Sequence, residues 1–321
     1  MGRERQRVDY LRISVTDRCN LRCRYCLPSE GVPTVPHAEV LRHEEIVAIV
    51  QAAVAVGIKK VRLTGGEPLV RRGIVELVAM LAAVPGIDDV ALTTNGVLFP
   101  EMAAALKRAG LRRVNISLDT LRPERYAWIT RGGDLQRVLT AVETALALGL
   151  HPVKLNMVVL KGFNDDEITD VARLSLERPL HVRFIELMPF GPADALQNEC
   201  FFPTREVRAR LEAHFGPLVT IRKLAGCGPA CYYRIPGATG TIGFISGVTG
   251  HFCSRCNRLR LTATGELRTC LFGGPGVDLK GPLRAGANQA AVAALLREAI
   301  EKKAGTRAKT GRLGVMARLG G

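Results

Sequence analysis

Residues 11–26 read LRISVTDRCNLRCRYC, a short β-branched run followed at once by Cys19, Cys23 and Cys26 in C-x3-C-x2-C spacing. The run predicts a first strand over 10–16, so the three thiols fall on the loop behind it, together with Asp17, Arg18 and Tyr25. Three thiolates on one tight loop can hold three irons of a cubane cluster, whereas clusters used purely for electron transfer usually take four cysteines. The fourth iron is then open to a ligand, as an open position separates catalytic from structural metals. A zinc site completed by a distant His or Cys is the alternative reading of the same spacing.

Outward from this loop, short β-branched runs alternate with Ala/Leu-rich stretches of helical period. That alternation is the mark of βα units on a parallel sheet. Strands are expected at 10–16, 60–64, 90–94, 113–118, 153–159 and 181–187. Helices are expected at 43–56, 73–84, 100–109, 134–148, 165–176 and 204–214. Gly65-Gly66, Asn95-Gly96 and Gly110 punctuate the ends of these elements. Periodicity alone does not separate an open doubly wound sheet from an incomplete barrel. After residue 216 Gly, Pro and Cys become frequent and the alternation is lost, so residues 1–216 are expected to form one domain and 217–321 a second, irregular module.

The chain has 321 residues, 47% of them hydrophobic but only 5% aromatic, so its core must be built from Ala, Val, Leu and Ile. The 45 Lys and Arg against 30 Asp and Glu give a net charge of +15, which suits an anionic partner: nucleic acid, an acidic membrane or a polyphosphate. The start MGRERQ has no apolar segment behind it, and no apolar run approaches the length of a membrane span, so a cytoplasmic location is expected. In that reducing compartment nine cysteines point to metal or cluster ligation rather than to disulfides.

Cys253, Cys256 and Cys270 form a second triplet, C-x2-C-x13-C, directly followed at its second member by Asn257, Arg258, Leu259 and Arg260. Again there are three thiols, and a zinc knuckle using His251 as fourth ligand is the competing reading. Cys200, Cys227 and Cys231 read as ordinary small residues, with an extra-ligand role open for Cys227 or Cys231.

C-x3-C-x2-C behind a first strand, joined to Gly65-Gly66-Glu67-Pro68 behind the second, resembles the radical S-adenosylmethionine superfamily. The resemblance implies an incomplete (β/α)6 barrel of the α/β class, with a 4Fe-4S cluster on Cys19, Cys23 and Cys26 whose open iron chelates S-adenosylmethionine. Further stretches narrow it: RLTGGEPL (62–69), TTNG (93–96), NISLDTL (115–121), GPACYYRIPGATGTIGFIS (228–246), CSRCNRLRLTATGELRTCL (253–271) and a double-glycine end. Together they resemble the GTP 3′,8-cyclase family of molybdenum cofactor biosynthesis, over essentially the whole chain. Leu27 stands where that family commonly has Met, which touches nothing catalytic.

That likeness implies a second 4Fe-4S cluster on Cys253, Cys256 and Cys270. It implies S-adenosylmethionine contacts at Tyr25, Gly66, Ser117 and Met188, and GTP contacts at Arg12, Arg62, Thr93, Lys154 and 258–260, that is Arg258, Leu259 and Arg260. Arg258 and Arg260 are implied as the catalytic clamp. Residue types agree, because Arg offers a planar fork to phosphate oxygens and Lys a point charge. Arg12 and Arg62 also lie inside predicted strands, where a charged residue needs a partner. The implied reaction turns GTP into 3′,8-cyclo-7,8-dihydro-GTP, fed by an external electron donor. A companion cyclic pyranopterin monophosphate synthase would act downstream. Neither nucleic acid nor membrane is expected as a partner, and the chain is expected as monomer or homodimer. The terminal glycines of the family reach the active site, whereas composition assigns the basic run 302–318 and Gly320-Gly321 to a solvated tail. Two rivals remain at this point: a peptide-modifying enzyme of the same superfamily, and a basic zinc or iron–sulfur protein that binds nucleic acid.

Overall fold

A computed structural model describes residues 8–221, 228–250, 252–253, 256–273 and 275–303. Cys227, His251 and the tail beyond 303 lie outside the described residues.

Six parallel strands form the centre: β1 (Tyr10–Ser14), β2 (Lys60–Thr64), β3 (Asp89–Thr94), β4 (Arg113–Ser117), β5 (Val153–Val159) and β6 (Leu180–Glu186). The connecting helices are α1 (His43–Val54), α2 (Ile74–Ala82), α3 (Phe99–Arg108), α4 (Pro123–Thr130), α5 (Leu135–Ala147) and α6 (Ile168–Glu177). Local chemistry starts them. Arg42 and Glu45 form a capping box on α1, and the Asp134 carboxylate accepts from the Gln136 N–H at the head of α5 (2.9 Å). This is the incomplete (β/α)6 barrel expected, with α4 as an additional short helix between β4 and α5.

The chain continues through α7 (Ala193–Cys200), α8 (Thr204–Phe215), β7 (Val219–Ile221), β8 (Cys231–Arg234), β9 (Thr241–Ile245), β10 (Arg258–Leu261), β11 (Glu266–Arg268), β12 (Val277–Asp278), α9 (Lys280–Arg284) and α10 (Gln289–Glu301). Much of this segment is regular, contrary to the expectation of an irregular module. β9 joins β6 in parallel and β10 joins β1 in parallel, giving one sheet of order β12-β11-β10-β1-β2-β3-β4-β5-β6-β9-β8-β7. These strands are short, and the pairings that join β9 and β10 to the central sheet reach far away in sequence, so no local period announces their place. α10 packs against α1.

β9 and β10 therefore sit at opposite edges of eight parallel strands, yet only residues 246–257 separate them. A connection of that length reaches about 40 Å fully extended. The sheet must curl to bring its two edges within this span. The connection starts at the carboxyl end of β9 and ends at Arg258, the register partner of Tyr10 at the amino end of β1.

Strand alternation sends Leu11, Ile13, Val61, Leu63, Leu259 and Leu261 to the outer face, where they are fully buried in the core. The inner face is polar. Arg260, Arg12 and Arg62 are consecutive register partners across β10, β1 and β2. Ser117, Asn156, Arg183 and Gly243 form a second row across β4, β5, β6 and β9. A Cβ at Gly243 would stand 3.0 Å from the Arg183 side chain, so glycine there gives that arginine its room.

Candidate active site

The barrel encloses a cavity of about 280 Å³. Of the residues singled out in the sequence, Arg12, Tyr25, Cys26, Thr93, Ser117, Met188, Cys253, Cys256, Arg258, Arg260 and Cys270 line it. Cys26 belongs to the loop beyond the carboxyl end of β1, while Cys256 and Cys270 flank the strands β10 and β11 at the amino end. One continuous space thus meets both triplets. Cys19, Cys23, Gly66, Arg62, Lys154 and Leu259 stand back from it.

The first triplet is organised by its neighbours. The Leu21 N–H and Asn95 Nδ2 point at Cys19 Sγ (3.4 and 3.8 Å), and the Cys26 N–H donates to the Cys23 carbonyl (2.8 Å). Such N–H to sulfur contacts suit thiolates that ligate a cluster. Gly65 and Gly66 make this loop possible: their backbones lie so close to it that a Cβ would sit 2.4 Å from the Thr16 carbonyl oxygen or 2.2 Å from that of Arg18. The Gly66 N–H donates to Thr16 O and that of Glu67 to Arg18 O, both at 2.8 Å. Buried Glu67 accepts from Leu69 N, Thr94 Oγ1 and Asn95 N (3.0, 2.8 and 2.7 Å), tying the loops behind β2 and β3 together. Tyr25 donates its hydroxyl to Asp119 (2.5 Å), a cavity residue whose carboxyl burial pushes up to about 6.

The second triplet is reached by Lys303, whose Nζ lies 3.7 Å from Cys256 Sγ and 3.1 Å from the Arg258 carbonyl, and also donates to that of Thr269. Burial works against ionising the Cys256 thiol, but Arg258 and Lys303 hold it below the ordinary value. The Arg258 guanidinium lies 5.3 Å from the Phe252 ring centroid. The connection carrying Cys253 and Cys256 is anchored by Glu186 at the end of β6. Its carboxylate accepts from the N–H groups of Thr204 (3.1 Å), Val248 (2.8 Å) and Thr249 (2.9 Å) and from the Thr249 hydroxyl.

Between the triplets the cavity is strongly positive. Burial, and then Arg260, drive the Arg12 pKa far down; burial, and then Arg62, lower that of Arg183. Arg12 Nε, Arg183 Nε, Asn115 Oδ1 and Asn156 Oδ1 are buried with no protein partner among the described residues. Buried polar atoms are nearly always paired, so the cavity is built for a ligand that supplies the missing partners, acceptors for the guanidiniums among them. A polyanion with donor groups of its own fits. Arg62 is held otherwise: it donates to the Tyr10 hydroxyl, to Leu92 O (2.8 Å) and to Thr93 Oγ1 (3.4 Å), and so positions Thr93 at the wall. Lys154 lies buried with its Nζ 5.5 Å from the Tyr232 ring. Leu259 faces the outer core.

Sequence reasoning missed Arg183, Asn115, Asn156, Asp119 and Lys303, all of which line the cavity. Arg183 carried a usable signal, since it is a charged residue inside a predicted strand, as Arg12 and Arg62 are. Asn115 and Asp119 lie in the quoted stretch 115–121 without being singled out there, Asn156 carried no signal, and Lys303 lies in the run read as tail.

The family described as Radical SAM superfamily matches residues 13–175, and that described as Molybdenum Cofactor Synthesis C matches residues 180–309. A GTP 3′,8-cyclase of Pelotomaculum thermopropionicum is 58% identical over 296 residues, covering 92% of this chain and 91% of its own length. The chain belongs to the GTP 3′,8-cyclase family of radical S-adenosylmethionine enzymes. Its relative in Moorella thermoacetica is 52% identical, over 93% of this chain and 92% of its own. Among solved structures, Streptococcus suis SuiB bound to S-adenosylmethionine superposes with a TM-score of 0.61 at 13% identity, covering 91% of this chain and 68% of that one. SuiB bound to its precursor peptide SuiA gives the same score at 13% identity, over 85% of this chain and 62% of that one. At this identity the likeness is one of fold. Membership of the cyclase family brings S-adenosylmethionine and a 4Fe-4S cluster as cofactors, and the loop of Cys19, Cys23 and Cys26 has the donor set for that cluster. No described helix is long and apolar enough to cross a membrane.

Proposed function

We propose that this chain binds GTP along the barrel interior, with its triphosphate among Arg12, Arg183, Arg258 and Arg260 and its guanine toward the second triplet, and converts it to 3′,8-cyclo-7,8-dihydro-GTP. The observation that carries the reading is the pair of buried, unpartnered guanidinium nitrogens on Arg12 and Arg183 inside a cavity that touches both cysteine triplets. S-adenosylmethionine and the cluster on Cys19, Cys23 and Cys26 supply, when bound, the radical that takes hydrogen from C3′ of GTP.

The chain's own residues do the rest by position. Tyr25 beside the first triplet, with Ser117 and Met188 farther along the cavity wall and Gly66 setting the loop from behind, hold S-adenosylmethionine. Thr93 and the cavity arginines fix the ribose and triphosphate so that C3′ and C8 stay close, with Lys154 adding positive charge from behind the wall, and the barrel wall limits the access of water to the reacting carbons. Cys253, Cys256 and Cys270 would hold a second 4Fe-4S cluster, whose chemistry there would be to bind and polarise the guanine. One hydrogen leaves C3′, a bond forms between C3′ and C8, and one electron and one proton enter, so the product is an isomer of GTP. An external donor provides the electrons, and a companion cyclic pyranopterin monophosphate synthase consumes the product. Residues 1–216 act as the barrel domain and 217–321 as the auxiliary-cluster module.

The test is anaerobic incubation of the reconstituted protein with GTP deuterated at C3′, S-adenosylmethionine and dithionite, with chromatographic and mass analysis. The expected result is a GTP isomer distinct from GTP, with deuterium in the 5′-deoxyadenosine. Equal 5′-deoxyadenosine formation with and without GTP would overturn the reading.

A further inference from the structure

Trp128, the only tryptophan in the chain, is 51% exposed on α4, and it lies against the loop of the first triplet. The Arg24 guanidinium sits 4.0 Å from its ring centroid, between Cys23 and Tyr25 in sequence, and Arg24 Nε donates to the Trp128 carbonyl (2.9 Å). The loop and the helix end are laced together by the Arg22 and Arg24 N–H groups, which donate to Thr130 O and Ile129 O (3.1 and 2.9 Å). Arg131 closes the lacing from the other side, donating to Arg22 O (2.6 Å) and Leu27 O (2.9 Å). The Phe163 ring, 5.0 Å from that of Trp128, extends the apolar surface. Among the described residues none of Arg22, Arg24 and Arg131 forms an ion pair with a carboxylate within 4.0 Å; their guanidiniums donate to backbone carbonyls, and Arg131 acts only at longer range on the exposed Glu30.

We propose that this face, an exposed tryptophan backed by a half-buried phenylalanine beside three arginines that form no ion pair among the described residues, docks an acidic one-electron carrier protein that reduces the first cluster. The inference rests on the cyclase reading, because that chemistry consumes electrons the chain does not contain. Electron transfer falls off steeply with distance, so the carrier must settle against the loop that holds the cluster, and this face is the outer surface of that loop. In the step one electron passes from the carrier's reduced cofactor to the cluster; the carrier is oxidised by one, the cluster is reduced by one, and no bond is made or broken. Charge chooses the occupant. Residues 304–321 of this chain carry four basic and no acidic residues, and a second copy brings a net charge of +15, so both are repelled where an acidic surface is attracted. An Arg and aromatic centre is also what energetically dominant contacts use.

The test titrates the holoprotein with an oxidised flavodoxin as probe, following the fluorescence of Trp128. Saturable quenching is expected at low ionic strength, with the Kd weakening about tenfold between 50 and 300 mM salt. By calorimetry Trp128→Ala should weaken flavodoxin binding at least tenfold, while Trp128→Phe, which keeps the stack on Arg24, should recover most of it. Iron content and dithionite-driven turnover of GTP should be unchanged in both variants, which separates a failed docking face from a failed cyclase reading. An unchanged Kd for Trp128→Ala would overturn the proposal. So would equal quenching by vesicles of anionic lipid, which would mark the face as a general anion binder. If the alanine variant loses iron, Trp128→Phe and the wild-type titration decide by themselves.

Discussion

Arg12 and Arg260 are register partners on the adjacent parallel strands β1 and β10, and burial together with Arg260 pushes the Arg12 pKa far below its ordinary value. Like charges held this close in a low-dielectric interior cost the empty protein stability, and the cost is repaid when an anion enters. Arg12→Met is therefore expected to act in opposite directions on two measurements. The thermal midpoint of the nucleotide-free protein should rise, while the Kd for GTP should weaken about 10- to 100-fold, the range for one charged hydrogen bond. Parallel thermal scans and anaerobic equilibrium binding check both. A lower midpoint with unaltered GTP affinity would show Arg12 to be a structural residue.

Glu186 gathers the segment that carries Cys253 and Cys256, accepting from Val248 N at 2.8 Å and Thr249 N at 2.9 Å. Glu186→Gln replaces one acceptor oxygen with a donor amide facing those N–H groups. A loss of about 2 kcal/mol is expected from a buried, charge-assisted network of this kind. Reconstituted iron should fall towards half while the cluster on the first triplet survives, and iron analysis with low-temperature EPR distinguishes the two. Full iron loading in this variant would remove Glu186 from the support of the second triplet.

Cys270→Ala addresses that triplet directly. Two cubanes correspond to roughly eight irons per chain, and loss of one leaves roughly four. S-adenosylmethionine cleavage without product should persist, because the first triplet is untouched. An iron content of roughly four in the unaltered protein, or zinc in its place, would contradict the proposed cofactor set.

Glu45 joins the amino end of α1 to α9 and gives the fold a predictable acid limit. Hydrogen bonds from Arg284 lead, with those of the Arg42 backbone and side chain, in lowering its pKa from 4.5 to about 2. A depressed carboxyl stabilises the folded chain above its unfolded pKa, and that contribution is lost as pH falls through the folded one. Wild type should therefore exceed Glu45→Gln by about 2 kcal/mol at pH 7. The gap should narrow below about pH 4.5 and vanish near pH 2. Urea titrations of both proteins across this range measure it, and a gap that does not change with pH would refute the linkage.

The barrel was legible because its signals are local. The expected strand 60–64 matches β2, 153–159 matches β5, and the others agree within two residues, since each β-branched run is bounded by Gly, Asn or charged residues close by in sequence. The helix α10 was passed over although Gln289–Glu301 has a helical period, because the surrounding Gly and Pro drew the segment into an irregular reading. Leu259, taken with Arg258 and Arg260 as one substrate-contacting stretch, shows the limit of motif reasoning. Alternation along β10 sends the two arginines into the cavity and the leucine into the outer core.

Residue order alone determined the chemistry available to this protein: two triplets of thiols, glycines where a loop must approach another backbone, and arginines inside strands. Spacing within a few residues carries that information, so it survives without coordinates. Only the tertiary structure decided that β9 and β10 flank the six central strands on opposite sides and that both triplets meet one space. Those placements come from pairings between strands far apart in sequence, His181 with Thr241 and Arg12 with Arg260, where burial and hydrogen-bond register act at long range and leave no periodic trace in the chain.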